Sequence, residues 1–176
     1  MQSIPARPIN TESLTYDILK TPVGLLGIAM TEKGLSNVQS RIKSEADYCG
    51  YLGKLYSVRP HRNAKKLACI TTQFEKYFNS ELETFSLPLD IVQGTPFQRK
   101  VWRKLQTIPY GETRSYLWLA KAVGKPKAHR AAGNANGGNP IPILIPCHRV
   151  ILSDGGLGGY ARGTSIKKFL LKLESH

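Results

Sequence analysis

Cysteine is scarce in this chain of 176 residues: Cys49, Cys69 and Cys147 form an odd set of three with no CxxC pair. A disulfide scaffold is excluded, and a reducing compartment is the natural setting. Long apolar runs are missing too. No stretch approaches the ~18 residues that a spanning helix needs, and the opening MQSIPARPIN lacks the apolar core of a signal peptide. A soluble protein of the cytoplasm or nucleoid, with no membrane-spanning segment, is therefore expected. Internal repeats and low-complexity tracts are absent. No GK[ST] loop and no helix-opening GxGxxG is present, so the usual phosphate cradles are excluded. His61, His129 and His176 share no metal-ligand spacing with cysteine or with one another. Neither a metal site nor a cofactor is expected. Carboxylates are few: 12 Asp and Glu stand against 25 Lys and Arg, a net charge of +13. That balance favours nucleic acid or a membrane surface over a small anion or an acidic protein.

What remains is ordinary for a folded protein. The chain is 41% hydrophobic and 21% charged, enough for one domain or two small ones with a real core. The charge is uneven. Residues 1–90 hold 11 Lys/Arg and 9 Asp/Glu, whereas residues 91–176 hold 14 and 3. Solubility alone does not need such clustering, but a polyanion-binding surface does. The division predicts an N-terminal domain over 1–90 and a cationic C-terminal domain over 91–176.

Along the N-terminal half, LTYDILK, LLGIAM and LSNV read as three short strands joined by the turn-like TPVG and TEKG, a meander. Residues 64–79 place Leu67, Ile70, Phe74, Tyr77 and Phe78 at helical spacing. Leu87–Val92 reads as a strand or linker. In the other half, Thr95 followed by Pro96 predicts a capped helix start, with Phe97, Val101 and Leu105 on one face. Ser115 caps a second short helix, YLWLAKAVG, closed by Gly124. Pro126 is expected to open a third, PKAHRAAGNAN. Two short helices so tightly joined read as a helix-turn-helix. The apolar PILI reads as a strand running into PCHRV. The glycine-rich DGGLGGYARG follows, read as a flexible hairpin in preference to a ligand cradle. A last helix starts near Thr164, buries Ile166, Phe169, Leu170 and Leu173, and ends at Glu174.

Three features shift Cys147 from an inert core thiol towards a nucleophile. It sits where a strand breaks at Pro146, cations are dense around it, and His148 is adjacent. Nearby cations are expected to lower the thiol pKa. Neighbours on a strand face opposite ways, so contact between thiol and imidazole needs a bend or a bridging water. Glu174, electrostatically misplaced at a helix C-terminus, is either a solvated end residue or the group that orients His148 in a Cys–His–Glu relay. The third helix has Ala128, Ala131, Ala132, Gly133 and Ala135 and no carboxylate. It either packs closely on another helix or lays its backbone on phosphates, with Arg130 and Asn134 projecting.

The run PIPILIPCHRV, with RAAGNANGGNP and TPFQRKVWRKLQTIPYGETRSY before it, closely resembles the O6-alkylguanine-DNA alkyltransferases, also called methylated-DNA–protein-cysteine methyltransferases. The likeness is nearly continuous over residues 94–174 and looser at TPVGLLGIAMTEKGL. It implies an α/β (α+β) fold: an N-terminal ribonuclease-H-like domain with a small antiparallel sheet, and a mostly helical C-terminal domain with a helix-turn-helix. It implies direct-reversal DNA repair by a single-turnover methyltransferase that moves the alkyl group of O6-alkylguanine irreversibly to its own Cys147. Activity on O4-alkylthymine stays open. His148 would be the base acting through water and Glu174 the residue polarising it. Tyr116 would donate a proton to the departing guanine, and Asn139 would tie the helix-turn-helix to the cysteine loop. Arg130 would enter the duplex in place of the extruded base. Ala131, Asn134, Arg149 and Tyr116 would complete the DNA-facing set. Tyr160, Ala161 and Arg162 would wall the base pocket. Arg162 departs from the small residue of many members; it either restricts large adducts or binds a phosphate. Ala132 replaces a common valine, and Gly137 stands where some members carry a basic contact. The implied partner is double-stranded DNA carrying the lesion, bound by a monomer, with cooperative binding along DNA left open.

Two other classes compete. A lesion sensor or regulator would bind DNA without transfer, but the joint presence of Cys147, His148 and Glu174 counts against it. A multiple-turnover cysteine hydrolase would need an oxyanion site that the sequence does not display.

Overall fold

A computed structural model describes residues 14–175. The chain divides into two compact units, one ending at Gly94 and one beginning at Thr95. Among the described residues, no helix is long and apolar enough to cross a membrane.

The first unit is built on the expected meander. Strands β1 (Thr15–Thr21), β2 (Gly24–Thr31) and β3 (Gly34–Ser40) pair antiparallel, from Thr15 opposite Met30 to Thr21 opposite Gly24, and from Leu26 opposite Ser40 to Thr31 opposite Gly34. Helix α1 (Glu45–Tyr56), which the sequence reading left unassigned, starts where the Ser44 side chain accepts from the Asp47 amide at 3.1 Å. It buries Tyr48, Leu52 and Tyr56 at four-residue spacing. A two-residue strand, β4 (His61–Arg62), adds to the far edge of β1 in parallel, giving the order β3-β2-β1-β4. Helix α2 (Ala64–Phe78) then packs on β1 through Leu67, Ile70, Phe74 and Tyr77, as their spacing requires. The core joins Leu14, Tyr16 and Ala29 of the sheet region to the α1 tyrosines and to Val92. Gly27 is needed there, because a Cβ on it would lie 2.6 Å from the Tyr48 ring. The 87–92 segment is a linker with a single bridge, Leu89 to Leu35.

The second unit begins with α3 (Pro96–Leu105), held by a full capping box: Thr95 Oγ1 accepts from the Gln98 amide, and Gln98 Oε1 accepts from the Thr95 amide. Its buried face is Val101, Trp102 and Leu105, with Phe97 only half-buried. Helix α4 (Tyr116–Ala122) is capped by Ser115 and closed at Gly124, whose φ of +74° suits glycine. The next helix does not open at Pro126. The Ala128 amide bonds to the Lys125 carbonyl at 2.8 Å, so Pro126 fills the second position of a turn, where its fixed φ is favoured. Helix α5 starts later, at His129, and runs to Gly137. It packs against α3 and α4, and Trp102 Nε1 donates to the Ala135 carbonyl at 2.8 Å. The helix α6 (Thr164–Leu173) buries Ile166 and Leu170 but leaves Phe169 and Leu173 half-exposed. Its third fully covered side chain is Lys167. A two-strand parallel pair, β5 (Arg114–Ser115) and β6 (Val150–Ile151), was not foreseen; two-residue strands carry no periodicity.

Candidate active site

The expected strand at PILI is a buried turn. Ile145 N–H donates to the Ile141 carbonyl, and Ile143 takes a φ of +79°, rare for a β-branched residue. Such strain persists only where the surroundings impose it. Asn139 does the imposing: its Nδ2 donates to the Ile145 carbonyl at 2.7 Å, and its Oδ1 accepts from the Ile141 amide at 3.0 Å. Pro146 then forms an inverse γ-turn (φ −80°, ψ 64°), with the Cys147 amide bonded to the Ile145 carbonyl. Cys147–Arg149 is one turn of 3-10 helix. Successive side chains therefore fan out by about 120° instead of alternating. Asn136 of α5 reaches in and donates from Nδ2 to the Cys147 carbonyl at 3.1 Å.

Glu174 is the hub of the site. It caps α6, is 2% exposed, and binds two neighbours at once. His148 Nε2 lies 2.9 Å from Oε1; Arg149 donates from Nε to Oε2 at 2.7 Å and from Nη2 to Oε1 at 3.0 Å. Burial alone would raise this carboxyl, but the bonds from His148 and Arg149 outweigh it and hold it down at about 2. An ionised Glu174 therefore fixes the histidine tautomer: Nε2 carries the proton. Burial lowers the His148 pKa despite Glu174, so the resting imidazole is neutral. Its other nitrogen, Nδ1, has no protein partner.

Arg149 corrects an expectation. It is not on a DNA-facing surface but buried, with its remaining Nη1 on the Ile108 carbonyl at 2.6 Å and its guanidinium over the Tyr110 ring. Its work is to hold Glu174 at a helix end that disfavours an anion.

Cys147 is 4% exposed, and Tyr160 Oη lies 3.9 Å from its Sγ. Burial raises the thiol pKa; Asn139, Arg162 and Tyr160 pull the other way without reversing it. The expected net lowering by cations is thus overturned: desolvation dominates. The resting thiol is protonated and needs a base. Arg162 turns back into the fold, donating from Nη2 to the Asn139 carbonyl at 3.0 Å.

The glycine-rich loop is pinned. The Lys167 ammonium donates to the carbonyls of Val150 (2.6 Å), Leu157 and Gly159 (3.5 Å). Tyr116, at the start of α4, donates to the Gly159 carbonyl at 3.2 Å. Its phenol pKa is raised, first by burial and then by Cys147, so it stays protonated and able to donate. Ala161, within this loop, is exposed.

On α5, Arg130, Ala131 and Asn134 are exposed, while Ala132, Ala135 and Asn136 are buried. The buried face packs on α3 and α4, and the other face leaves Arg130, Ala131 and Asn134 open to solvent. Asn136, Lys167 and Trp102 escaped the sequence reading. Lys167 left a signal, a cation beside Ile166 on the apolar stripe of α6. Asn136 left none beyond its place in NAN. Among the described residues, no group of three His, Cys, Asp or Glu could hold a metal.

Comparison with known proteins finds relatives over nearly the whole chain. Residues 14–91 match the family model described as 6-O-methylguanine DNA methyltransferase, ribonuclease-like domain. Residues 96–176 match its DNA binding domain. A methylated-DNA–protein-cysteine methyltransferase of Methanosarcina barkeri is 46% identical over 166 residues, covering 92% of this chain and 97% of the relative. The constitutive enzyme of that name from Bacillus subtilis is 45% identical over 160 residues, covering 90% and 94%. The crystal structure of Mycobacterium tuberculosis OGT in complex with DNA superposes with a TM-score of 0.79 at 39% identity, covering 92% of each chain. With both halves matched in order and nearly every residue accounted for, the chain belongs to the methylated-DNA–protein-cysteine methyltransferase family.

Proposed function

We propose that this protein repairs duplex DNA by moving the alkyl group of O6-alkylguanine to Sγ of Cys147, once per molecule. One observation carries the reading: a buried thiol lies next in chain to an imidazole whose far nitrogen is locked on an ionised, arginine-held carboxylate. Such a set makes a thiolate on demand and protects it from water until then. The substrate must come to the thiol. A base inside a duplex cannot present its alkyl carbon to a sulfur, so the nucleotide is extruded, at a cost of a few kcal/mol. Exposed Arg130 on the carboxylate-free α5 is the side chain suited to fill the gap.

His148 takes the thiol proton and the thiolate attacks the alkyl carbon. Tyr116 donates a proton to the departing guanine, general-acid help of about 10²–10⁴-fold. The thioether formed has no good leaving group, so the protein is consumed. Asn134 and Ala131 meet the backbone beside Arg130, and Tyr160, Ala161 and Arg162 border the base. The substrate places the protein on cellular DNA, acting as a monomer.

The test is stoichiometry. With excess O6-methylguanine duplex, guanine restoration should stop at one equivalent of protein; continued turnover would favour a hydrolase. Arg130→Ala should slow repair of duplex DNA at least about tenfold more than reaction with free O6-benzylguanine, since only the duplex route needs extrusion. Equal losses in competing rate measurements would remove that role. Binding should also weaken with salt at a log–log slope of about −0.9 per phosphate contacted. A flat salt titration would contradict the cationic-face argument.

A further inference from the structure

Two buried side-chain atoms at the reactive turn have no protein partner: His148 Nδ1 and Asn136 Oδ1. Both residues are almost sealed, at 0% and 3% exposure. Both atoms are acceptors. Ionised Glu174 receives the Nε2 proton of His148, which leaves a lone pair at Nδ1. The Cys147 carbonyl can only accept, so the Asn136 amide turns its NH2 group to it and Oδ1 is the free end. Two orphaned acceptors call for two hydrogens. A single water has two hydrogens to give, and its own oxygen can still accept a third bond, from the S–H of Cys147.

We propose that Asn136 is a positioning residue for the proton relay: its Oδ1 and His148 Nδ1 together hold one water, which links the Cys147 thiol to the imidazole. The inference rests on the alkyl-transfer reading of Cys147. The relay balances. The S–H bond breaks as its proton joins the water oxygen, and one of the water's own protons passes to Nδ1. Thiolate and imidazolium form, the water stays neutral, and the sulfur electron pair goes to the alkyl carbon. Asn136 retains the second water hydrogen throughout, so the water keeps one direction, with a hydrogen on the imidazole and a lone pair on the thiol. Because Asn136 projects from α5, the helix that offers Arg130 and Asn134 to solvent also carries a member of the relay.

The charged and titratable groups around this pair are Glu174, Arg149 and Lys167 facing His148, and Tyr160, Arg162, Tyr116 and the same Lys167 facing Cys147. None of them is altered by changing Asn136. The experiment follows alkylation of Cys147 by iodoacetamide as a function of pH, read on its own peptide so that Cys49 and Cys69 do not contribute. Asn136→Leu, close in volume, should raise the apparent pKa of the thiol by about one unit, a tenfold slower reaction at neutral pH. Asn136→Ser, which keeps a short hydroxyl, should recover part of that loss. A lowered unfolding temperature with an unmoved pH profile would assign Asn136 to packing and overturn the proposal. Should the leucine variant not fold, a high-resolution crystal structure of the native chain decides. A water within hydrogen-bond distance of both Asn136 Oδ1 and His148 Nδ1 supports the relay; a protein donor on Oδ1 contradicts it. If the native chain takes no methyl group from O6-methylguanine duplex while the Asn136→Leu shift in the iodoacetamide profile is present, the alkyl-transfer reading fails and the relay stands.

Discussion

Cys147→Ala will abolish alkyl transfer and leave binding to duplex DNA unchanged. The two functions reside in different atoms. Sγ lies in the buried turn, whereas Arg130, Ala131 and Asn134 lie on the exposed side of α5. Neither other cysteine can take over. Cys69 is exposed on α2 and Cys49 is half-buried on α1, both in the first unit, and among the described residues neither has an imidazole in its hydrogen-bond network. The substitution removes one buried atom, so its cost in stability should stay near about 1 kcal/mol. Transfer assayed with labelled O6-methylguanine duplex, beside a gel-shift titration, separates the outcomes. Residual transfer would mean that the acceptor lies elsewhere.

The second large effect falls on Glu174. Glu174→Ala removes the carboxylate from His148 and leaves the buried Arg149 guanidinium with the Ile108 carbonyl and the Tyr110 ring but no counter-charge. Breaking a buried ion pair from one side costs about 3–5 kcal/mol. Transfer should fall by about 10²–10⁴-fold as well, because the imidazole loses the group that fixes its tautomer. Glu174→Gln keeps the shape and separates the two effects through pH. The native carboxyl sits at about 2 against an ordinary 4.5. A depressed carboxyl stabilises the fold above its ordinary value and loses that contribution as pH falls from about 4.5 through 2, an order of about 3 kcal/mol. Buried neutral His148 adds an earlier limb, lost as pH falls below the ordinary histidine value of 6.5. Denaturant midpoints measured across this range should show both limbs in the native chain. The lower one should be missing in Glu174→Gln; superimposable curves would remove Glu174 from the account.

The parts of the fold that were legible are those with long periods or strong end signals. The meander shows alternation and turn residues, α2 has five apolar side chains in register, and Thr95–Pro96 marks a capped start. What escaped was short or paired across the chain. The strands β4, β5 and β6 are two residues each, and their pairing partners lie far away in sequence. Pro126 was misread because proline serves a turn as well as a helix start. PILI was misread because a buried apolar run fits a strand and a strained turn alike, and only Asn139 shows which.

The site was legible through Cys147, His148 and Glu174, whose grouping the PCHRV resemblance implied. Its supports were not. Arg149 looks in sequence like any basic residue beside a DNA-binding helix, and only burial reveals that its charge faces inward. The thiol was misjudged for the same reason. Counting cations describes the field around Cys147 but not the desolvation that exceeds it.

One sulfur takes one alkyl group from DNA. Intact-mass analysis after incubation with O6-methylguanine duplex, followed by peptide mapping, tests it most directly. The expected result is a gain of one methyl group per chain, located on the peptide that carries Cys147, with the duplex returned to guanine. An unchanged mass, or a methyl group on any other residue, would contradict it.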